Sequence, residues 1–328
     1  MPEPATLLTV VRALRHEAED VMSVELTAVG GVPLPTWDPG DHIDVHLRPG
    51  LIRQYSLCGS PLDSSRYTIA VKREVRSRGG SEHVHSTLRP GDQLTVSHPR
   101  RKFPLEDTPG RSILVAAGIG ITPIASMVRY LTHHSRDFEM HYFARSREHV
   151  VFAQEWEHAD LNDRVQMHLG LHREEVMDAV EKIACNADLS SHVYVCGPSG
   201  FMTSVASCFD TVGLDPAQLH SEKFAAEEVP SARTPGSSTQ SSFVVRAERS
   251  GVETEVVGAE SIYEALARCD VEVPVSCEQG ICGTCVTKVL SGTPDHRDDY
   301  FTDDEKAENT EMCVCVSRCA VGPLVLDL

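Results

Sequence analysis

The sequence predicts a multidomain chain with an antiparallel β-barrel, an α/β domain built on a doubly wound parallel sheet, and a small α+β domain at its C-terminal end. Three observations predict this order: short strands separated by turn residues, then apolar strands alternating with helices, then four cysteines behind two strands and one helix. With 328 residues, the chain is long enough for two or three domains, each with its own core.

The first predicted domain, residues 1–108, is the barrel. Its strand-like segments, such as 42–47 and 67–72, are short and are interrupted by Gly, Pro and Asp. In the segment Arg53-Gln-Tyr55-Ser56, the two-residue period of a strand places Arg53 and Tyr55 on one face and Ser56 on the other. Arginine can bind a phosphate, tyrosine can cover an aromatic ring system and serine can hydrogen-bond to it, so the motif is compatible with a flavin.

A second motif of the barrel is the glycine-rich segment in which Gly79, Gly80 and Ser81 follow Arg78. Backbone amides in such a turn can surround a phosphate, and Lys72 on the preceding strand adds a cation. The alternative is a basic hairpin that faces solvent and binds no ligand.

The second predicted domain, residues 109–228, alternates apolar strands with helices, which indicates a parallel sheet covered on both faces. A strand at 113–117 leads into Gly118-Ile-Gly120-Ile-Thr-Pro123 and then a helix, where backbone amides suit a pyrophosphate. The motif lacks the third glycine of the dinucleotide-binding fingerprint, and close packing of the strand on the helix is an alternative reason for its glycines.

Residues 229–241 are rich in Ser, Thr, Pro and Gly and are predicted to form a linker. The third predicted domain, residues 242–328, begins with two strand-like segments on either side of Ser250-Gly251. A helix follows, with Ser261 as its N-cap. This order predicts a small α+β domain.

The cysteines of the third domain carry the strongest motif. Cys277, Cys282 and Cys285 have the spacing C-x₄-C-x₂-C, and Cys315 follows after 29 residues, which is the plant-type ligand pattern of a [2Fe–2S] cluster. Cys313 and Cys319 lie near the fourth position as well. Zinc is the main competitor because Cys282 and Cys285 form a C-x₂-C pair, but Cys313-Val-Cys315 is a poor second pair for zinc.

Charge and cysteine usage limit the classes of partner and compartment. The net charge is −18, and residues 241–328 contain seven Lys and Arg against seventeen Asp and Glu, a net charge of −10. Such a surface repels nucleic acid and attracts a basic protein, or else it is a solvated acidic face. Eleven cysteines without a recognisable signal peptide lead us to expect a reducing cytoplasm. The uncharged apolar run 112–128 is too short and too rich in Gly and Pro for a membrane span.

Taken in order, the motifs resemble those of the phthalate dioxygenase reductase family, which includes the vanillate demethylase reductases. They are Arg53-x-Tyr55-Ser56, Arg78-Gly-Gly-Ser81, Gly118-Ile-Gly-Ile-Thr-Pro123, Cys196-Gly-Pro198, Glu222-x-Phe224 and the Cys277 group. The resemblance covers nearly the whole chain. It implies a flavin- and nucleotide-binding part like that of ferredoxin-NADP reductases, with FMN in place of FAD, and a C-terminal plant-type ferredoxin domain with a β-grasp fold.

The resemblance also implies roles for individual residues. FMN would be bound by residues of the barrel, namely Arg53, Tyr55, Ser56, Ala70, Val71, Lys72, Gly79, Gly80 and Ser81. The nicotinamide nucleotide would be bound by Gly118, Gly120, Thr122, Pro123, Arg145, Cys196, Gly197 and Pro198. Phe224 would lie beside the flavin, and Cys315 would be the fourth cluster ligand, with Cys313 and Cys319 as bystanders. The catalytic group, which orients the flavin and flanks the nicotinamide, would be Ser56, Thr122, Cys196 and Glu222.

The predicted function is electron transfer from NADH through FMN and a [2Fe–2S] cluster to a separate terminal oxygenase, with a Rieske-type oxygenase or demethylase favoured. NADPH is the less favoured donor, although Arg145 and Arg147 could accept its 2′-phosphate. A flavin is needed because hydride carries two electrons whereas the cluster accepts one. The alternatives are a reductase that supplies a cytochrome P450 and a non-enzymatic ferredoxin-like redox sensor.

Overall fold

The computed structural model describes residues 6–74, 79–108, 110–161, 163–224, 242–281 and 283–328. The chain divides into two compact units, Met1–Phe224 and Ala225–Leu328. The predicted linker at 229–241, the motif residue Arg78 and the predicted ligand Cys282 lie outside the described residues.

The first unit begins with a six-stranded antiparallel sheet in the order β4-β3-β6-β1-β2-β5, whose outer strands β4 and β5 lie next to each other. Alternate side chains such as Ile43 and Val45 point inward and form the core of this barrel, and the short helix α1 adds Val84. The elements are β1 (Thr6–Ala18), β2 (Val21–Ala28), β3 (His42–Arg48), β4 (Leu51–Ser56), β5 (Tyr67–Lys72), α1 (Gly80–Ser86) and β6 (Gln93–Ser97).

A five-stranded parallel sheet follows in the order β11-β10-β7-β8-β9. Its central strand SILVAA is buried along its whole length because helices cover both faces: Leu114 packs against one helix layer and Val115 against the other. The strands are β7 (Ser112–Ala117), β8 (Phe138–Ala144), β9 (Val165–Leu169), β10 (His192–Cys196) and β11 (Leu219–Glu222). The helices are α2 (Ile121–His133), α3 (Ala153–Trp156), α4 (Arg173–Asn186) and α5 (Ser199–Thr211).

The barrel and the parallel sheet share part of one hydrophobic core. Cys58 and Phe103 from the barrel part pack in the same cluster as Ile124 and Met127 of α2. The Gly40 amide also donates a hydrogen bond to Ser126 Oγ at 3.1 Å. A Cβ atom at Gly40 would lie 1.8 Å from the Phe103 carbonyl oxygen, so only glycine permits this close approach. The C-terminal end of β4 is thereby held near the parallel sheet.

The second unit contains a five-stranded sheet in the order β13-β12-β16-β14-β15, in which only β12 and β16 run parallel. The predicted helix after Ser261 is confirmed, and Ser261 caps it together with Glu264. The strands are β12 (Phe243–Ala247), β13 (Val252–Val256), β14 (Val286–Asp295), β15 (Glu311–Cys313) and β16 (Arg318–Leu326), and the helices are α6 (Ile262–Ala267) and α7 (Asp303–Glu308).

The predicted fold class is confirmed by these sheets: one antiparallel, one parallel with helices on both faces, and one small mixed sheet with two short helices. In the part of the chain that the structure describes, none of the helices has the length and apolar character required to cross a membrane.

Candidate functional site

The predicted flavin motif lies on β4, where Ser56 pairs with His42 and Tyr55 with Ile43 of β3. Arg53 and Tyr55 are half-buried on one face of the strand, whereas Ser56 is buried on the other. Burial raises the pKa of Tyr55 to about 12, so its phenol stays protonated near neutral pH. The motif therefore presents a cation, a neutral aromatic ring and a buried hydroxyl from a single strand.

The glycine-rich turn lies directly against this motif. Gly79 has φ of 89° and precedes α1, which begins at Gly80. A Cβ atom at Gly80 would lie 2.6 Å from Cγ of Arg53, so the absence of a side chain there lets the arginine lie across the turn. Two motifs that are separated in the sequence thus lie in contact in the structure.

The remaining predicted FMN residues lie near the same turn. Ala70 and Val71 are buried on β5, and Lys72 at the end of that strand forms an ion pair with Glu74 at 2.9 Å. Ser81 Oγ accepts a hydrogen bond from the Glu74 amide at 3.1 Å. Glu74 was not among the predicted site residues, and its carboxylate offsets part of the positive charge expected of this turn.

Ser56 also reaches the end of the parallel sheet. Its hydroxyl donates a hydrogen bond to Glu222 Oε2 at 3.2 Å, although the two residues are 166 positions apart. Glu222 is the last residue of β11 and is 7% exposed. Burial raises the pKa of its carboxyl group from 4.5 to about 7, while the hydrogen bond from Ser56 acts in the opposite direction. Glu222 can therefore hold or release a proton near neutral pH.

Asp41 is a second buried carboxyl group, its charge acts on Glu222, and it was not among the predicted site residues. Its Oδ2 atom accepts a hydrogen bond from the Asp38 amide at 3.0 Å, and burial raises its pKa. The negative charge of Asp41 raises the pKa of Glu222, whereas Lys102 lowers it. The only sequence signal for Asp41 is an acidic residue between Gly40 and a strand with apolar alternation.

Cys196 lies beside Glu222 at the end of β10. The two residues pair in parallel register, and the Cys196 thiol donates a hydrogen bond to the Glu222 carbonyl oxygen at 3.3 Å. Burial raises the pKa of this thiol well above its usual value, so it is a neutral group and not a thiolate nucleophile. Ser56, Cys196 and Glu222 of the predicted catalytic group are thereby brought together.

The glycine loop after β7 packs against the segment that follows Cys196. Gly118–Gly120 form one turn of 3₁₀ helix, and α2 begins at the next residue. A Cβ atom at Gly120 would lie 2.2 Å from the Cys196 carbonyl oxygen, and one at Gly197 would lie 2.9 Å from Cβ of Ala117. Close packing, the alternative reason given for these glycines, therefore applies at Gly120. Gly118 has no such contact, but its positive φ of 55° favours glycine at that position of the loop.

The other predicted nucleotide residues occupy the same edge of the sheet. Thr122, in the first turn of α2, donates from Oγ1 to the Ile119 carbonyl oxygen at 3.0 Å, and Pro123 follows it. Pro198 is the N-cap of α5. The ends of β7 and β10 thus carry two helix starts side by side, the position at which open α/β sheets bind ligands.

Beyond β8, Arg145 and Arg147 differ in their contacts. Both are exposed, but Arg147 forms an ion pair with Glu157. Within the described residues Arg145 has no ion pair. Phe224, two residues beyond Glu222, is 37% exposed. A large aromatic side chain with this much exposed surface is available to cover a bound ring system.

Three of the four predicted cluster ligands are described. Cys277, Cys285 and Cys315 are buried, and the Sγ atoms of Cys285 and Cys315 lie 3.1 Å apart. The Gln279 amide donates to Cys277 Sγ at 3.3 Å. Among the residues with described positions, no three His, Cys, Asp or Glu side chains form a metal site, and Cys282 is not one of those residues.

The loop geometry and the donor set fit a [2Fe–2S] cluster. Gly280 and Gly283 have φ of 71° and 73°, and a Cβ atom at Gly283 would lie 2.2 Å from the ring of Tyr300. Thiols on a sharply bent loop, together with a buried thiol from a second segment, are the ligands that iron takes in plant-type ferredoxins.

The neighbouring cysteines occupy different environments. Cys313 is fully buried on β15 and forms a hydrogen bond with Cys285. This hydrogen bond is the largest of the interactions that raise the pKa of the Cys285 thiol to about 12. Cys319 is only partly buried on β16. The side chains of Cys313 and Cys315 therefore both contact Cys285. Cys319 lies further along the chain from Cys285 than either of them.

Two family models match the chain. The oxidoreductase NAD-binding domain matches residues 114–207, and the 2Fe-2S iron-sulfur cluster binding domain matches residues 245–320. The first range contains the glycine loop and Cys196, and the second contains all four predicted cluster ligands.

Full-length relatives and solved structures extend these matches. The chain is 42% identical to vanillate O-demethylase oxidoreductase of Pseudomonas sp. (strain HR199 / DSM 7063), over 97% of this chain and 99% of that protein. It matches the structure of phthalate dioxygenase reductase, described as a modular structure for electron transfer from pyridine nucleotides to [2Fe-2S], with TM-score 0.79 and 36% identity, over 99% and 98% of the two chains. It also matches an intact type IV self-sufficient cytochrome P450 monooxygenase with TM-score 0.77 and 32% identity, over 98% of this chain and 41% of that one.

The cofactors follow from the matched domains: a [2Fe–2S] cluster, a nicotinamide nucleotide with NADH favoured, and FMN in the flavin-reductase fold. The enzyme class, an NAD(P)H-dependent flavin iron–sulfur oxidoreductase, is also confirmed. The chain belongs to the phthalate dioxygenase reductase family, which includes reductase components of oxygenase systems.

Proposed function

We propose that this chain takes electrons from NADH and delivers them one at a time to a separate Rieske-type oxygenase or demethylase. The observation that carries the proposal is the hydrogen bond of 3.2 Å between Ser56 and Glu222, which joins the flavin motif to the end of the nucleotide-binding sheet. A hydride donor and a flavin that meet at this junction would react without any strong nucleophile from the protein.

The proposed division of labour follows the predicted domains. Residues 1–108 bind FMN, residues 109–228 bind the nicotinamide nucleotide, 229–241 link them to the last domain, and residues 242–328 hold the cluster. The family-model ranges 114–207 and 245–320 support the second and fourth of these assignments.

In the proposed FMN site, Arg53 and the turn Gly79-Gly80-Ser81 bind the phosphate. Support comes from the close approach of Arg53 to Gly80. Tyr55 covers the ring system and the Ser56 hydroxyl hydrogen-bonds to it, while Ala70, Val71 and Lys72 form the adjoining wall. Bound FMN supplies two-electron chemistry toward NADH and one-electron chemistry toward the cluster.

In the proposed nucleotide site, the loop at Gly118, Gly120, Thr122 and Pro123 and the segment Cys196-Gly-Pro198 bind NADH. Cys196 and Glu222 flank the nicotinamide, with Glu222 holding a proton near neutral pH because its pKa is about 7. Phe224, which is 37% exposed, lies beside the flavin. The ion pair with Glu157 engages Arg147, one of the two cations that could accept the 2′-phosphate of NADPH, and this supports NADH.

The proposed cluster ligands are Cys277, Cys282, Cys285 and Cys315. Burial of the described three and the 3.1 Å separation of the Cys285 and Cys315 sulfur atoms support this set. Deprotonation of the thiols accompanies metal binding, since the thiolate is the ligand.

The proposed partner is a separate terminal oxygenase that acts on an aromatic compound. The names of two full-length relatives, a vanillate O-demethylase oxidoreductase and a phthalate dioxygenase reductase, support a demethylase or a dioxygenase as the partner. The net charge of −10 over residues 241–328 supports docking on a basic surface. The match to a self-sufficient cytochrome P450 supports the second candidate, in which the same electrons serve a P450.

An anaerobic titration of the purified protein with NADH tests the proposal. We expect the flavin absorbance to bleach and the plant-type cluster absorbance to fall during the same titration, and we expect the extracted flavin to be FMN. Bleaching of the flavin with no reduction of the cluster would contradict the internal electron path. A protein that contains a cluster but does not react with NADH would instead support a non-enzymatic redox protein.

A further inference from the structure

A buried carboxylate, Asp298, lies between the two segments that carry the cysteines of the second unit. Its side chain has no exposed surface. Its Oδ1 atom accepts a hydrogen bond from Ser317 Oγ at 3.1 Å, and its Oδ2 atom accepts one from the Phe301 amide at 3.1 Å. Ser317 is two residues beyond Cys315, so Asp298 is tied directly to the segment of the proposed fourth ligand.

The same residue also contacts the loop that carries the other cysteines. A Cβ atom at Gly280 would lie 2.9 Å from both Cα and Cβ of Asp298, and the Asp299 amide donates to the Gly280 carbonyl oxygen at 3.0 Å. Asp298 therefore sits where the loop from Cys277 to Cys285 meets the Cys315 segment.

The charge of Asp298 is incompletely balanced. Across the described ranges, no lysine or arginine forms an ion pair with it, and His296 Nδ1 lies 3.4 Å from its Oδ1 atom. The other ring nitrogen of His296 is buried without a hydrogen-bond partner among the described residues. Ser317 and the Phe301 amide are thus the principal donors to this carboxylate.

We propose that the buried negative charge of Asp298 keeps the reduction potential of the cluster low. The proposal rests on the proposed ligand set. One-electron reduction by the flavin would add a negative charge to a cluster held by the four cysteines, and no bond would form or break at Asp298. A buried negative charge beside that site opposes the added electron, because charges interact strongly where water is excluded. The Ser317 hydroxyl weakens the opposition by hydrogen-bonding to the carboxylate.

Two substitutions should shift the potential in opposite directions. Asp298→Asn keeps an oxygen acceptor but removes the charge, so the potential should rise. Ser317→Ala removes a donor to the carboxylate, so the potential should fall. Asp295→Asn is the matched control because the side chain of Asp295 is 41% exposed, pairs with the exposed Arg297 and lies three residues upstream of Asp298. The cluster potential of this variant should stay close to that of the parent.

The experiment is a spectroelectrochemical titration of the cluster in the intact parent protein and the three variants. A rise for Asp298→Asn clearly larger than that for Asp295→Asn supports the proposal, as does a fall for Ser317→Ala. An intact cluster in Asp298→Asn with the potential of the parent would overturn it. If Asp298→Asn does not assemble a cluster, the potential of Ser317→Ala tests the proposal. An unchanged or raised potential in Ser317→Ala would then overturn the proposed role of Asp298. Absence of a cluster from the parent itself would defeat the ligand set instead.

Discussion

Ser56 Oγ and Glu222 Oε2 are joined by a hydrogen bond of 3.2 Å that links the last residue of β4 in the barrel to the last residue of β11 in the parallel sheet. Because the acceptor carboxyl group is buried, its pKa is about 7 instead of 4.5. This buried contact bears on how the stability of the protein depends on pH.

The first prediction concerns the pH dependence of stability. The folded pKa of Glu222 exceeds its unfolded value, so its contribution is fully present below about pH 4.5 and is lost as the pH rises through about 7. In Glu222→Gln this loss should disappear, and the difference between parent and variant should grow across that window to about 3 kcal/mol at most. Thermal unfolding from pH 4.5 to 8 measures it. Glu181→Gln, at an exposed position on α4, is the control, and its stability should vary with pH as that of the parent does. If the stability of Glu222→Gln also varied with pH as that of the parent does, a raised pKa of Glu222 would be refuted.

The second prediction concerns FMN affinity. Arg53→Ala should weaken FMN binding by about tenfold to a hundredfold, because a charge-assisted hydrogen bond is worth about 1.5–3 kcal/mol. Gly80→Ala should weaken it too, since the added Cβ would lie 2.6 Å from Arg53 Cγ and displace the side chain. Equilibrium dialysis of the apoprotein against FMN measures both. Arg12→Ala, an exposed position on β1, is the control. Equal affinity in Arg53→Ala and the control would exclude a phosphate role for Arg53.

The third prediction separates the candidate ligands. Cys315→Ser should abolish or severely destabilise the cluster, whereas Cys313→Ser and Cys319→Ser should keep the plant-type absorbance and EPR spectra. Cys313 is the demanding comparison because it also contacts Cys285. A normal cluster in Cys315→Ser, or its loss only in Cys313→Ser, would transfer the fourth ligand to Cys313.

Features with a local signal could be predicted from the sequence. The cysteine spacing, the Ser261 cap and the apolar strand before Gly118 each depend on residues within one short segment, and the fold class followed from them. At Gly120 the structure shows a packing constraint, because a Cβ atom there would lie only 2.2 Å from the Cys196 carbonyl oxygen. Close packing, and not only ligand binding, therefore requires that glycine.

Contacts between distant segments could not be predicted. The hydrogen bond from Ser56 to Glu222, the ion pair between Arg147 and Glu157, and the contact of Asp298 with Gly280 depend on how separate segments pack. No periodicity or spacing in one sequence records such pairings, because each residue type is common on loops and strand ends. Burial of Asp41 and Asp298 is hidden for the same reason.

The fourth prediction concerns docking. If the acidic residues of 241–328 bind a basic face of the oxygenase, electron transfer from the intact protein should slow as salt rises, because exposed charges are screened over about 10 Å at 0.1 M ionic strength. Stopped-flow reduction of the oxygenase across a salt series measures this. Transfer to a neutral artificial acceptor serves as the control and should change little. A rate to the oxygenase that is independent of salt would remove electrostatic docking and leave the electron path intact.

The most direct test of the central claim compares the full-length protein with a chain cut after Ser237, which lacks all four proposed cluster ligands. Both should oxidise NADH with an artificial acceptor at similar rates, because the proposed FMN and nucleotide residues precede the cut. Only the full-length protein should reduce a Rieske-type oxygenase in stopped-flow mixing under anaerobic conditions. Equally rapid reduction of the oxygenase by the shortened chain would contradict the proposed path from flavin through the cluster to the partner.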